Sequence, residues 1–212
     1  MNKTKLCTYA LLASVVSLSA YARPVSYPGG WTVMQMHDAD RTSLHVHYSP
    51  TFKKSIGVRY ENQQDDNTHL GGIQVNHLLK RINKKGSQAN FYLKTFAGIS
   101  SKEADIDPAG SLAFATDWET RRHFVSYEAH VEAVATKGSS FHQTGRIGIA
   151  PYIGDYGDLH TWLMLQVDHR PDDIDETFTA TPLVRFFKGR DMLEAGVQLD
   201  TGKAMLNYIH RF

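Results

Sequence analysis

Apolar residues return at every second position through most of this chain, and a sustained helical period is hard to find. Residues 159–168 are typical: Leu159, Leu163, Leu165 and Val167 share one face, while His160, Trp162, Gln166 and Asp168 share the other. Such stretches cover residues 33–36, 44–48, 56–60, 73–79, 91–99, 112–118, 122–131, 141–150, 159–167, 178–187, 193–199 and 204–212. Polar turn clusters separate them, as in Asn83-Lys84-Lys85-Gly86. The pattern predicts twelve antiparallel strands. Ten or eight remain open if the shorter runs merge or lie outside the sheet.

The second face decides the architecture. It supplies Arg59, Lys94, Asp117, Glu128, Arg146, Arg185 and Glu194. In a small soluble barrel these charges would form the core, where burial is costly. Lipid outside and a polar network inside remove the contradiction. The chain therefore reads as all-β, an antiparallel up-and-down transmembrane β-barrel. With both termini in the periplasm, the outer connections fall at 62–67, 100–110 and 168–177, the last strongly acidic. The inner turns fall at 49–54, 83–88, 119–120, 151–158 and 188–191. Trp31, Tyr48, Phe91, Trp118, Phe186 and Phe212 then lie near inner strand ends, like an interfacial aromatic girdle.

The N-terminus changes the cellular picture. Lys3 and Lys5, an apolar stretch at 11–20 and Ala20-Tyr21-Ala22 read as a secretory signal with its cleavage site. Residues 1–22 are expected to be removed, leaving one barrel domain at 23–212. The only cysteine, Cys7, lies in the removed segment, so the mature chain needs a core, a metal or a membrane in place of a disulfide. It carries 21 Lys and Arg against 22 Asp and Glu, which excludes a basic nucleic-acid surface.

The chain ends in Ala204-Met205-Leu206-Asn207-Tyr208-Ile209-His210-Arg211-Phe212, with Ala204, Leu206, Tyr208 and Phe212 on one face. An alternating strand closed by Phe resembles the C-terminal assembly signal of bacterial outer-membrane barrels, with His210 where that signal usually carries an apolar residue. The resemblance implies the outer membrane as location. Its partners would be the barrel assembly machinery (through Phe212), outer-membrane lipid and lipopolysaccharide.

Candidate chemistry concentrates in the first hairpin. If Ala39-Asp40 form a two-residue turn, Asp38 opposes Arg41. Trp31 then faces Tyr48, Val33 faces Val46 and Gln35 faces Leu44 on the lipid side. On the lumen side Met34 faces His45, Thr32 faces His47 and Met36 faces Ser43. Met34, Met36, His45 and His47 would share one patch, whereas His37 points away. Thioether with imidazole suits Cu(I), and imidazole alone suits Cu(II) or Zn(II). The plainer role for these side chains is packing and hydrogen bonding in the lumen. No cofactor is required by any motif.

The run from Trp31 through Arg41, together with Gly154-Asp155-Tyr156-Gly157-Asp158-Leu159-His160-Thr161-Trp162, resembles a poorly characterised family of exported proteins associated with copper and heavy-metal resistance clusters in proteobacteria. That resemblance implies metal handling without specifying an ion or a ligand. Catalysis finds little support. The sole His-x-Ser, His47-Tyr48-Ser49, lies at the inner end, whereas outer-membrane lipases and deacylases place theirs near the outer leaflet. Asp65-Asp66 and Asp172-Asp173 are adjacent loop acids without a converging His. His123 and His130 lie on opposite faces, while His142 can meet His130 or Glu128. The expected function is a non-catalytic outer-membrane barrel that binds or passes copper-like ions through a Met/His lumen. A structural or adhesive barrel with a plugged lumen, and a lipid-modifying enzyme, are the alternatives.

Overall fold

A computed structural model describes residues 24–64, 67–155, 157–172 and 178–212. The expected signal peptide, Asp65, Asp66, Tyr156 and Asp173 lie outside the described residues. Twelve strands form the fold: β1 (Trp31–His37), β2 (Arg41–Thr51), β3 (Lys54–Gln63), β4 (Thr68–Lys84), β5 (Ser87–Lys102), β6 (Asp105–Thr120), β7 (His123–Val134), β8 (Gly138–Ile149), β9 (His160–His169), β10 (Phe178–Lys188), β11 (Asp191–Val197) and β12 (Ala204–Arg211). Each pairs with its sequence neighbours, and β1 pairs with β12, so the sheet closes without a free edge. The closing ladder runs from Thr32↔Arg211 to His37↔Leu206, and the Phe212 amide donates to the Trp31 carbonyl at 2.9 Å.

Alternation sorts the side chains as the charge pattern requires. Val58, Ile73, Leu112, Ile147, Leu163, Leu193 and Leu206 point outward and are exposed, while Arg59, Gln74, Arg185, Glu194 and Asn207 point inward and are buried. Exposed aliphatic side chains on every side of a closed sheet fit a hydrocarbon environment. Trp31, Trp118, Phe186 and Phe212 are exposed near the end that carries the termini, with Trp31 packed 5.2 Å from Tyr48. His210 is accommodated by polar pairing. Asp191 accepts from it at 2.7 Å and from the Tyr208 hydroxyl at 2.6 Å, and its ring packs edge-on against Phe212.

Several connections differ from their sequence-based boundaries. Residues 100–110 do not form a long loop. β5 continues to Lys102, β6 begins at Asp105, and the ladder runs unbroken from Ser87↔Thr120 to Lys102↔Asp105. Pro108 is tolerated there because it sits above Ala109↔Val134, the last pair of β6 with β7. Glu119-Thr120 belong to β6, and the turn falls at Arg121-Arg122. β2 reaches Thr51 through an irregularity after Tyr48, which shortens the next turn to Phe52-Lys53. Strands β4, β5 and β6 exceed the roughly 9–11 residues that cross a bilayer, so their hairpins extend past the apolar belt.

Candidate metal centre and charged lumen

The first hairpin adopts the register that its turn chemistry predicts. Asp38 Oδ1 accepts the backbone N–H of Asp40 at 3.0 Å and of Arg41 at 2.9 Å, and the Asp38 amide donates to the Arg41 carbonyl. Met34 stands opposite His45, Thr32 opposite His47 and Met36 opposite Ser43. Across the seam Met34 meets Ile209 and Met36 meets Asn207. His37 turns outward to Thr42, as expected.

The four candidate ligands are not equivalent. Met34, Met36 and His45 line a central cavity of about 270 Å³. His47 lies two residues nearer the terminal end of β2 and is completely buried, while His45 is 9% exposed. Their rings meet edge-on at 5.7 Å between centroids. Neither Nδ1 nor Nε2 of either ring has a hydrogen-bond partner among the described residues, and Thr32 Oγ1 beside them has none either. A buried polar group left in this state costs about 1–3 kcal/mol. No three His, Cys, Asp or Glu side chains converge as a metal cluster among the described residues, so an ion held here would need the thioethers.

Gly57, which sequence reasoning missed, makes room for this patch. It pairs with His47, and a Cβ at Gly57 would lie 2.3 Å from His47 Cδ2 and 2.0 Å from the Val46 carbonyl oxygen. The neighbouring Arg59, opposite His45, is fixed by Glu61 at 2.6 Å, Glu132 at 3.4 Å and the Phe96 ring at 5.1 Å. Phe96 lies over Gly72 and Gly98, where a Cβ would come within 2.8 Å of its ring. Arg41 joins the same group through Glu61 at 3.5 Å. Two guanidiniums and two carboxylates thus leave the ground beside His45 close to neutral.

Other lumen groups are tightly paired. Glu194 accepts from Arg185 at 2.6 Å and from Asn207 at 2.8 Å, with Arg146 at 3.4 Å, and Arg185 lies over the Phe124 ring. Lys94 bonds Glu128 at 2.6 Å. His130 is the direct partner of His142, 5.5 Å between centroids, and His142 meets Thr144 at 3.2 Å. Ser49 is buried and its hydroxyl accepts the Ser26 amide at 2.9 Å, which ties up the only serine of the His-x-Ser run. Asp172 accepts the Phe141 amide.

Both mouths are narrowed. At the far end the β1–β2 turn is drawn in: Ala39 is buried, Arg170 pairs with Asp40, and Lys203 Nζ donates to the Ala39 carbonyl at 3.2 Å. At the terminal end residues 24–30 fold under the lumen, with Val25 packed among Leu78, Tyr92 and Ala115.

No family model matches this chain, and no curated protein matches it. Among solved structures it is similar to the KdgM porin, at 8% identity over 86% of this chain and 98% of that one, with a TM-score of 0.50. A second similar structure is the KdgM porin in complex with disordered oligogalacturonate, at 8% identity over the same shares, TM-score 0.49. LpxR from Salmonella typhimurium follows at 9% identity over 86% of this chain and 99% of that one, TM-score 0.42. The likeness is one of fold: a closed twelve-strand barrel of the outer-membrane kind. The resemblance to a metal-resistance family gains nothing from these comparisons.

Proposed function

We propose that this chain is a non-catalytic bacterial outer-membrane barrel that binds copper-like ions in its lumen and serves metal resistance. The observation that carries the reading is the pair of buried imidazoles, His45 and His47, whose ring nitrogens have no partner among the described residues, with Met34 opposite His45 and, like Met36, lining the same cavity. Sulfur and neutral imidazole favour Cu(I), and its analogue Ag(I), over hard divalent ions. The locally balanced charge of Arg41, Arg59, Glu61 and Glu132 agrees with a singly charged guest. Outer-membrane lipid surrounds the apolar belt, and Phe212 serves the assembly machinery.

The test is isothermal titration of the purified barrel with Ag(I), and with Cu(I) under reductant. Wild type should bind, and the variant His45→Gln/His47→Gln/Met34→Leu/Met36→Leu should not. Equal binding by both, or none by either, would reduce the four residues to lumen packing. A second reading, a structural envelope barrel with a plugged lumen, draws on the ion pair Arg59–Glu132, between strands that are not sheet neighbours, and on the narrowed mouths. Metal-insensitive growth of a deletion strain would favour it.

A further inference from the structure

We infer that residues 24–30 act as a stopper that closes the periplasmic mouth below the His45/His47 patch and must leave for solutes to pass. Pro24 lines the central cavity and so forms part of its floor. Val25, 3% exposed, inserts among Leu78, Tyr92 and Ala115 on the lumen wall. A valine that could have faced the aqueous mouth is instead an apolar anchor inside a polar barrel.

The remaining attachments are few and exchangeable with water. Ser55 Oγ donates to the Pro24 carbonyl at 2.6 Å, and the Ser26 amide donates to Ser49 Oγ at 2.9 Å. The Gly29 amide donates to the Ser49 carbonyl at 2.8 Å, and the Ser49 amide to the Gly30 carbonyl at 2.9 Å. The Tyr27 hydroxyl donates to the Phe212 carbonyl, which ties the segment to the barrel seam. Gly29 stands at φ +83° with nothing within 4 Å of a Cβ built on it, which suits a pivot where the segment meets β1. On the expected cleavage after Ala22, Val25 is the third residue of the mature chain. The stopper is then held covalently at one end only. Release then comes from pulling on the free end or from competition at the apolar anchor.

Single-channel recording in planar bilayers with potassium chloride tests this without any metal, so its result is separate from the copper titration. Wild type should be closed most of the time. Val25→Asp, checked for folding by heat-modifiable migration, should raise the open fraction by at least about tenfold, as expected for loss of one buried aliphatic anchor. The mature chain has no cysteine, so Ser26→Cys/Ser49→Cys gives a single reversible lock. Oxidised, it should abolish openings, and reduction should restore them. A folded Val25→Asp barrel that conducts like wild type overturns the stopper, as does an oxidised pair that conducts like the reduced one. If Val25→Asp fails to fold, the cysteine pair decides.

Discussion

Two buried groups in the same lumen behave as opposites. Glu194 is completely buried, and its two carboxylate oxygens receive Arg185, Asn207 and Arg146. His47 is just as buried, yet neither of its ring nitrogens meets a partner among the described residues, and His45 shares that condition. Burial alone therefore says nothing about role. A buried charge with every acceptor site used is scaffolding, because it joins β8, β10, β11 and β12 across the barrel wall. A buried polar pair without a hydrogen-bond partner among the described residues adds nothing to the cohesion of the wall. The contrast predicts that the two groups answer oppositely to removal of their polarity.

The largest effect should come from Glu194→Gln. It leaves Arg185 and Arg146 facing a neutral amide in a buried site, where loss of one partner costs about 3–5 kcal/mol. The midpoint of urea unfolding in detergent should fall accordingly, with silver binding unchanged in whatever fraction still folds. An undiminished midpoint would mean that the two guanidiniums have water enough of their own. Gly57→Ala comes next. Its methyl would collide with the Val46 carbonyl and the His47 ring, an overpacking cost of about 1–3 kcal/mol. Unlike the Glu194 change, it should also weaken silver binding, because His47 must move. Full-affinity binding by that variant would remove His47 from the ligand set. His47→Leu then inverts the Glu194 result. Without metal its stability should stay within about 1 kcal/mol of wild type or rise, since an unpaired polar group is exchanged for an apolar one. A large loss would show that the imidazole is satisfied by ordered water.

The satisfied region and the unsatisfied one were not equally legible in the sequence. The charges of Arg146, Arg185 and Glu194 could be assigned to the lumen from alternation alone, since period two fixes the face of every strand residue. Their mutual pairing could not, because partners across several strands depend on the stagger of the whole barrel. The histidine patch was readable to the level of register. Asp38-Ala39-Asp40-Arg41 is a local turn signal, and it set Met34 against His45 correctly. What escaped was Gly57, whose absent side chain matters only once β3 lies beside β2, and the burial of His47. Residues 100–110 misled because Asp105, Asp107, Pro108 and Gly110 have loop chemistry, although a hairpin projecting past the membrane tolerates them. Residues 24–30, with Pro24, Pro28, Gly29 and Gly30, carry no strand alternation, and nothing local says that such a segment will tuck beneath a lumen.

The finest cut through the comparison comes from Met34→Leu/Met36→Leu. Leucine nearly matches methionine in volume, and both positions are only half buried, so the pair should change stability by less than about 1.5 kcal/mol. Neither methionine is tied into the Glu194 network except through Asn207, the seam partner of Met36, and the carboxamide bond to Glu194 involves no thioether. Stability is therefore the wrong readout, and ion preference is the right one. Thioether sulfur is a soft donor that contributes to Cu(I) and Ag(I) and little to Cu(II), whereas imidazole serves both oxidation states. Removing the sulfurs should cost silver affinity by at least about tenfold, one ligand's worth of roughly 1.4 kcal/mol, and leave Cu(II) affinity within about a factor of three. His45→Gln/His47→Gln should show the reverse order, with Cu(II) lost first. If both double variants lose both ions in the same proportion, the patch acts as one polar pocket without a soft-donor preference. If the methionine variant binds silver as wild type does, the ligands are the imidazoles alone, and the pairing of Met34 with His45 across the hairpin is packing.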